Sequence, residues 1–264
     1  MEQDPITPAN DAASLRRLMR TAPEATLATL AFTHSQVANG WPVASMVQPV
    51  IDMDGAPIIL ISQLADHTRH IHNDPRVSLM FRPYSPGGTV ETSHPAAAPK
   101  TPVTDTQRLT IFGQATKIDD ARIERRYLTV QPAAALYAGF ADFAFYRIEI
   151  EAAYWVGGFG KQRRLRGEQL YGADLNTLTK GHAALIDDVN KNKPDLIAQI
   201  AHWYLPAITA PKTRWTLAAI DCDGAYFSFN DTVFRLEFPH TICSMEDAQK
   251  ILVKIGQKKT EIPI

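Results

Sequence analysis

Cysteine is scarce in these 264 residues: Cys222 and Cys243 are the two present, and neither stands in a paired Cys/His spacing. That scarcity argues against a zinc ribbon or a disulfide scaffold and fits a reducing compartment. Charge of either sign is not in excess, with 27 Lys+Arg against 28 Asp+Glu, so no global field draws the chain to nucleic acid or an anionic membrane. No apolar run approaches the roughly 20 residues that span a bilayer. The opening "MEQDPITPAN" lacks the apolar stretch of a secretory signal. The expected class is a soluble, cytoplasmic, globular protein with neither a nucleic-acid nor a membrane partner. Familiar catalytic signatures are missing too: there is no G-x-S-x-G, P-loop, H-E-x-x-H or EF-hand loop. Ser45 has no evident His and Asp partners for nucleophilic hydrolysis.

What is present is strand-rich. A helix over Asp11–Thr21, with Leu15, Leu18 and Met19 on one face and Asp11 as N-cap, precedes the strand "TLATLAF". "PVASMVQPVID" and "APIILIS" are apolar runs joined around Asp54-Gly55, a hairpin signal because that pair accepts positive φ. "RVSLMF", "RLTIFGQATKID" and "FAFYRIEIEAAYWV" complete six strands. In the last of these Ala144, Tyr146, Ile148 and Ile150 alternate with Arg147, Glu149 and Glu151. Six strands with short helices between them predict a small closed antiparallel barrel. Five prolines from Pro83 to Pro102 mark a surface loop, in which His94 reads as solvated.

A second organisation follows. Two helices ("LTKGHAALIDDVNKN", "PDLIAQIAHWY") precede three strands joined at Asp223-Gly224 and Asn230-Asp231, and Ser244 caps a closing helix with Asp247 three residues on. Ala248, Ile251, Leu252 and Ile255 give that helix one apolar face. The expectation is an α+β fold: a six-stranded antiparallel split barrel over 1–166, then a small α+β domain over 167–264, joined through the basic link "GKQRRLRGEQLYGADLN". No internal repeat is evident.

Two constellations could carry chemistry. "LADHTRHIHNDPR" (64–76) holds three histidines. On a helix His67 and His70 share a face at a metal-binding spacing, but no third or fourth ligand is near, so no metal is assigned. The stretch equally fits a solvated helix, or an anion site in which Ser62 opens the turn and His67, Thr68 and Arg69 offer donors and charge. The second constellation is "YWVGGFGKQRRLRG". Trp155, Phe159 and three glycines beside Lys161, Arg163, Arg164 and Arg166 read either as a basic linker or as an aromatic–glycine surface for a planar, anionic cofactor. The glycines do not form the dinucleotide fingerprint.

On these residues the chain resembles the FMN-binding split barrels, the pyridoxamine 5′-phosphate oxidase-like superfamily. "LADHT", "DPRVSL", "RLTIFGQA" and "YWVGGFGK" resemble its heme-utilisation branch, the HugZ/HutZ type, and residues 174–258 resemble the small domain fused to that branch. The resemblance implies a homodimer with cofactor sites at the subunit interface, holding FMN or heme. By position, Ser45, Met46, Val47, Ile61, Ser62 and Gln63 would line the flavin side, with His67, Thr68 and Arg69 toward the phosphate. Trp155, Gly158, Phe159, Lys161 and Arg163 would complete the site. Asp66-His67 stands where the oxidases carry Arg-Lys, which argues against the vitamin-B6 reaction. Heme-degrading relatives carry His-Met-Asn-x-Asp-His where this chain has "DVNKNK", so Asp188 and Lys193 replace the iron-reaching histidines while Asn190 is kept; His182 and His240 are the remaining substitutes. The implied activity is a heme-related oxidoreductase. The alternatives are a non-catalytic tetrapyrrole- or partner-binding regulator, like the glutamyl-tRNA-reductase-binding protein, and a flavin reductase.

Overall fold

A computed structural model describes residues 11–32, 38–83, 107–158, 160–205, 215–230 and 232–257. The proline-rich stretch beyond Pro83, with His94, and the individual residues Phe159 and Asp231 lie outside the described residues. The chain forms two compact units, each discontinuous in sequence. One gathers Met1–Pro49, Ile59–Ile118 and Ala141–Leu170; the other gathers Val50–Ile58, Asp119–Phe140 and Tyr171–Ile264.

The first unit opens with α1 (Ala12–Thr21), whose N-cap Asp11 accepts from Ser14 N and whose Leu15, Leu18 and Met19 are buried. The strands that follow in the chain are β1 (Ala25–Leu30), β2 (Pro42–Val47), β3 (Val50–Ile51), β4 (Pro57–Ser62), β5 (Arg76–Phe81), β6 (Arg108–Ile118), β7 (Phe143–Gly158) and β8 (Lys161–Arg166), with α2 (Asp66–Asn73) between β4 and β5; of these, β3 and the first two residues of β4 are counted with the second unit. They form one eight-stranded sheet in the order β2-β1-β5-β6-β7-β4-β3, with β8 also on β7. The fold is α+β with a large antiparallel sheet, as expected, but the closed six-stranded barrel is corrected to an open path of eight strands. One added strand arises because the run "PVASMVQPVID" breaks at Gln48-Pro49, where proline has no N–H for the ladder. The other is the supposed basic link, which is strand β8.

Register explains which residues are core. Ser45, Leu27, Leu79, Ile111, Ala153 and Leu165 lie directly opposite one another across six strands and so share a face. Leu27, Leu79 and Ile111 on that row have no solvent exposure. One residue along, Met46, Thr26, Met80, Thr110, Tyr154 and Arg164 form the next row and face the other way. Ala144, Tyr146, Ile148 and Ile150 of β7 are already buried within this chain. The expectation that a second copy covers the apolar face of "FAFYRIEI" is therefore corrected, because that face is already covered within one chain.

The second unit holds α3 (Ala121–Val130), α4 (Ala135–Ala138), α5 (Leu175–Thr179), α6 (His182–Asn192), α7 (Pro194–Tyr204), β9 (Trp215–Asp221), β10 (Gly224–Phe229), β11 (Thr232–Glu237) and α8 (Met245–Gln257). The three strands form one sheet in the order β11-β10-β9. Leu185, Val189, Ile197 and Ile200 from α6 and α7, Ala248, Ile251, Leu252 and Ile255 from α8, and Leu217, Ala225 and Phe227 from the sheet make one core, joined by Met53 from the turn after β3.

That turn has a counterpart. "IDMDGA" (51–56) and "IDCDGA" (220–225) repeat with one substitution, which corrects the expectation of no internal repeat. Cys222 N donates to Met53 O at 3.0 Å, joining the two turns. Arg122 forks onto Asp52 (2.7 and 3.0 Å), and Arg235 forks onto Asp221 (2.6 and 3.1 Å). Between them Arg126 donates to Ile51 O, Ile220 O and Asp221 Oδ2. Arg122 and Arg235 thus hold the two buried carboxylates in bidentate geometry, and Asp120 beside Arg122 and Glu237 beside Arg235 supply the further negative charge that three guanidiniums need, the arrangement that makes burying charge tolerable. The side chains of Asp221, Cys222 and Asp223 lie close enough to share a metal ion, but Asp221 is already held by two arginines and Cys222 Sγ–H donates to Asp223.

Candidate functional site

The β4–α2 turn gathers Ile61, Ser62, Gln63, His67, Thr68 and Arg69. Ser62 Oγ donates to Asp142 Oδ2 at 2.6 Å and accepts from Leu64 N, while Gln63 N donates to Asp142 O. Thr68 is fully buried, and its hydroxyl donates to Ser62 O at 2.7 Å. Arg69 is exposed and pairs with Asp66 at 3.1 Å. His70 is buried with Nδ1 bonded to Thr29 Oγ1 at 2.9 Å, so the His67/His70 face does not present two free imidazoles. His72 Nε2 and the Tyr146 hydroxyl share a hydrogen bond of 2.8 Å, and burial raises the pKa of that phenol above its ordinary value. His67 differs from its neighbours. Burial, and then His70 beside it, lower its pKa, so the imidazole is held toward its neutral form.

Two side-chain atoms here are shielded from solvent without a hydrogen-bond partner: Ser45 Oγ and His67 Nε2. Native proteins leave few such atoms, and an absent ligand or water is a common reason. These orphaned atoms are the observation on which a cofactor fits this unit. Ser45 and Val47 face the sheet interior on β2, whereas Met46 points out and is 67% exposed.

The β7–β8 hairpin gathers Trp155, Gly158, Lys161 and Arg163, with Trp155 opposite Arg163 and Gly158 opposite Lys161. Trp155 and Arg163 turn inward and are buried. The indole occupies the space where a Cβ at Gly157 would fall, and Gly160 takes a positive φ of 78° at the tip. The outward aromatic–cation surface is made instead by Tyr154 and Arg164, whose guanidinium lies 5.7 Å from the ring centre. Sequence reasoning missed this pair. The two-residue alternation running through "YWVGG" and "KQRRLR" is the signal that identifies it.

The two groups are not brought together within one chain. The α2 turn is bonded to Asp142 and Tyr146 at the start of β7, while the hairpin leaves from its far end. At ~3.3 Å per residue, they are separated by roughly 40 Å of strand contour. Ser45–Val47 lies level with the hairpin, several strands across the sheet.

In the second unit, Asp188 and Lys193 pair with each other at 2.8 Å. Asn190 bonds both ways to the Leu217 backbone at 2.9 and 2.8 Å, tying α6 to β9. His182 Nε2 accepts from Ile220 N, and burial pushes its pKa down to about 4, so that nitrogen is engaged in the fold. His240 is exposed.

The sequence profile of the CREG beta-barrel family matches residues 6–172, more than half of the chain, and the chain belongs to that family, within the FMN-binding split-barrel superfamily. The resemblance read from "DPRVSL" and "YWVGGFGK" is thereby borne out. Among individual proteins, the chain is 25% identical over 254 residues to the chloroplastic non-canonical heme oxygenase HOZ of Arabidopsis thaliana, covering 90% of this chain and 72% of that one. A protein of unknown function from Agrobacterium tumefaciens shares the fold with a TM-score of 0.63 at 23% identity, covering 94% of this chain and 98% of its own. A heme binding protein from Mycobacterium smegmatis does so with a TM-score of 0.51 at 22% identity, covering 96% and 98%. No helix among the described residues is long and apolar enough to cross a membrane.

Proposed function

We propose that this chain is the protomer of a homodimer that binds heme at the subunit interface, with FMN as the competing cofactor. The observation that carries the reading is the separation of the two candidate groups. The α2 turn of one copy and the β7–β8 hairpin of another can frame one cleft across a two-fold axis, which one copy cannot do. The outward sheet face supports it, since Met46 and Phe112 are 67% and 45% exposed. On the same unit a concavity of about 340 Å³ is lined by Ala28, Leu30, Pro42, Ser78 and Phe112, among others. The heme names of the Arabidopsis and Mycobacterium relatives favour a tetrapyrrole over a flavin.

His67 would offer a polar atom to the bound group from one copy, and Lys161, Arg164 and Tyr154 a cationic aromatic wall from the other. The cofactor, when bound, supplies the redox chemistry. The chain orients it, screens it from water and neutralises its anionic edge. Between turnover and storage, the Asp188–Lys193 ion pair at the positions of the relatives' iron-reaching histidines favours binding and hand-over of heme over its degradation. Titrating hemin while following absorbance near ~400 nm, with sedimentation on the same samples, tests the reading. A dimer that takes up hemin supports it, and a colourless monomer overturns it.

A further inference from the structure

We infer that the α2 turn selects a tetrapyrrole over a nucleotide cofactor, with His67 as the side chain that meets the iron. The inference rests on the heme-binding reading above and assigns a residue to it. A phosphate needs free donors and positive charge, and the two hydroxyls and the guanidinium of this turn are already engaged within the chain. The Thr68 hydroxyl is fully buried and donates to Ser62 O, and the Ser62 hydroxyl gives its hydrogen to Asp142. Asp66 opens the helix, so its carboxylate meets the positive end of the peptide dipoles and repels an anion there. Arg69 is paired with that same Asp66.

What remains uncommitted is His67. Its Nε2 is shielded and has no partner, while the residue itself is partly exposed. Rotation about Cβ–Cγ, a soft torsion, reorients this nitrogen without breaking any hydrogen bond of its own. An imidazole nitrogen is a good ligand for heme iron. The histidines of the second unit do not substitute for it: His182 is bonded to Ile220 N, and the positions that the resemblance marks for iron hold an ion pair.

The test titrates hemin, FMN and riboflavin separately into the full chain and into His67→Ala. The expected result is hemin uptake by the wild type with the spectrum of nitrogen-ligated iron. In His67→Ala that signature should be lost and affinity should drop on the order of tenfold or more. Added imidazole should restore the spectrum in hemin that co-elutes with the variant on size exclusion, which a misfolded variant would not show. FMN should bind no more tightly than riboflavin, which lacks the phosphate. A His67→Ala spectrum identical to the wild type would overturn the assignment of His67 and leave the heme reading standing. FMN binding well above riboflavin would overturn the selection, and absence of hemin uptake by the wild type would remove the heme reading and this inference together.

Discussion

At the paired Asp-Gly turns of the second unit, Asp52 and Asp221 are each gripped by a forked arginine, and Arg126 supplies hydrogens to two carbonyls and a carboxylate. At the α2 turn of the first unit, side chains of similar polarity leave His67 Nε2 without a partner, and across the sheet Ser45 Oγ is left the same way. The contrast separates two uses of buried polarity. A saturated network fixes one geometry and resists change, because each group removed strands a charge. An unsaturated one costs stability and persists where something outside the chain completes it. On this argument the first region serves the fold and the second serves a ligand, although both are rich in titratable residues.

The sharpest way to break that comparison is at the saturated end. Arg126→Met leaves Asp221 short of one partner and two carbonyls without donors, and should lower unfolding stability by about 3–5 kcal/mol. Urea denaturation reads this directly, and a loss below about 1 kcal/mol would mean that the network is ornamental. Acidification is the next largest effect. An unfolded histidine takes up a proton near the ordinary pKa of 6.5, but the half-buried His182 does so only at about 4. Between those values the unfolded chain binds more protons, so stability falls as pH falls, by up to roughly 3 kcal/mol. Melting temperatures from pH 7 to pH 4 should drop more steeply for the wild type than for His182→Gln; parallel curves would contradict the assignment. Asn190→Ala, which strands the Leu217 N–H and C=O, should cost roughly 1–3 kcal/mol in the same denaturation assay. The smallest effects belong to the unsaturated end. His67→Ala and Ser45→Ala should shift stability by less than about 0.5 kcal/mol without ligand, since neither nitrogen nor hydroxyl has a bond to lose. A loss of several kcal/mol in either would reassign that residue to the fold.

Much of this architecture was legible in the chain. Apolar alternation and Asp-Gly turns located β4 through β7 and the three strands of the second unit, because those segments are buried on at least one face and their period is enforced by the core. Strand β8 was read as a linker because four cations in six residues conceal the inward alternation of Arg163 and Leu165. The break at Pro49 was missed because a continuous apolar run gives no sign of which N–H the ladder needs. Within the site, spacing identified the His67-bearing turn. It could not show that Trp155 faces inward and Tyr154 outward, since that choice is set by the register of β7 against β6 and β8. Nor could linear reading place the Asp52 and Asp221 turns side by side, a contact between residues far apart in sequence.

The central claim, that one cofactor site draws on two copies of the chain, is tested most directly by complementation. His67→Ala damages the α2 turn and Lys161→Glu with Arg164→Glu damages the hairpin, so each variant homodimer carries two defective sites. Unfolding and refolding an equal mixture produces hybrid dimers in which one site combines the intact turn of one copy with the intact hairpin of the other. Hemin titration of the mixture should then recover about a quarter of the wild-type high-affinity sites. A mixture that binds no better than the two variants measured apart would place the whole site within a single chain and contradict this account.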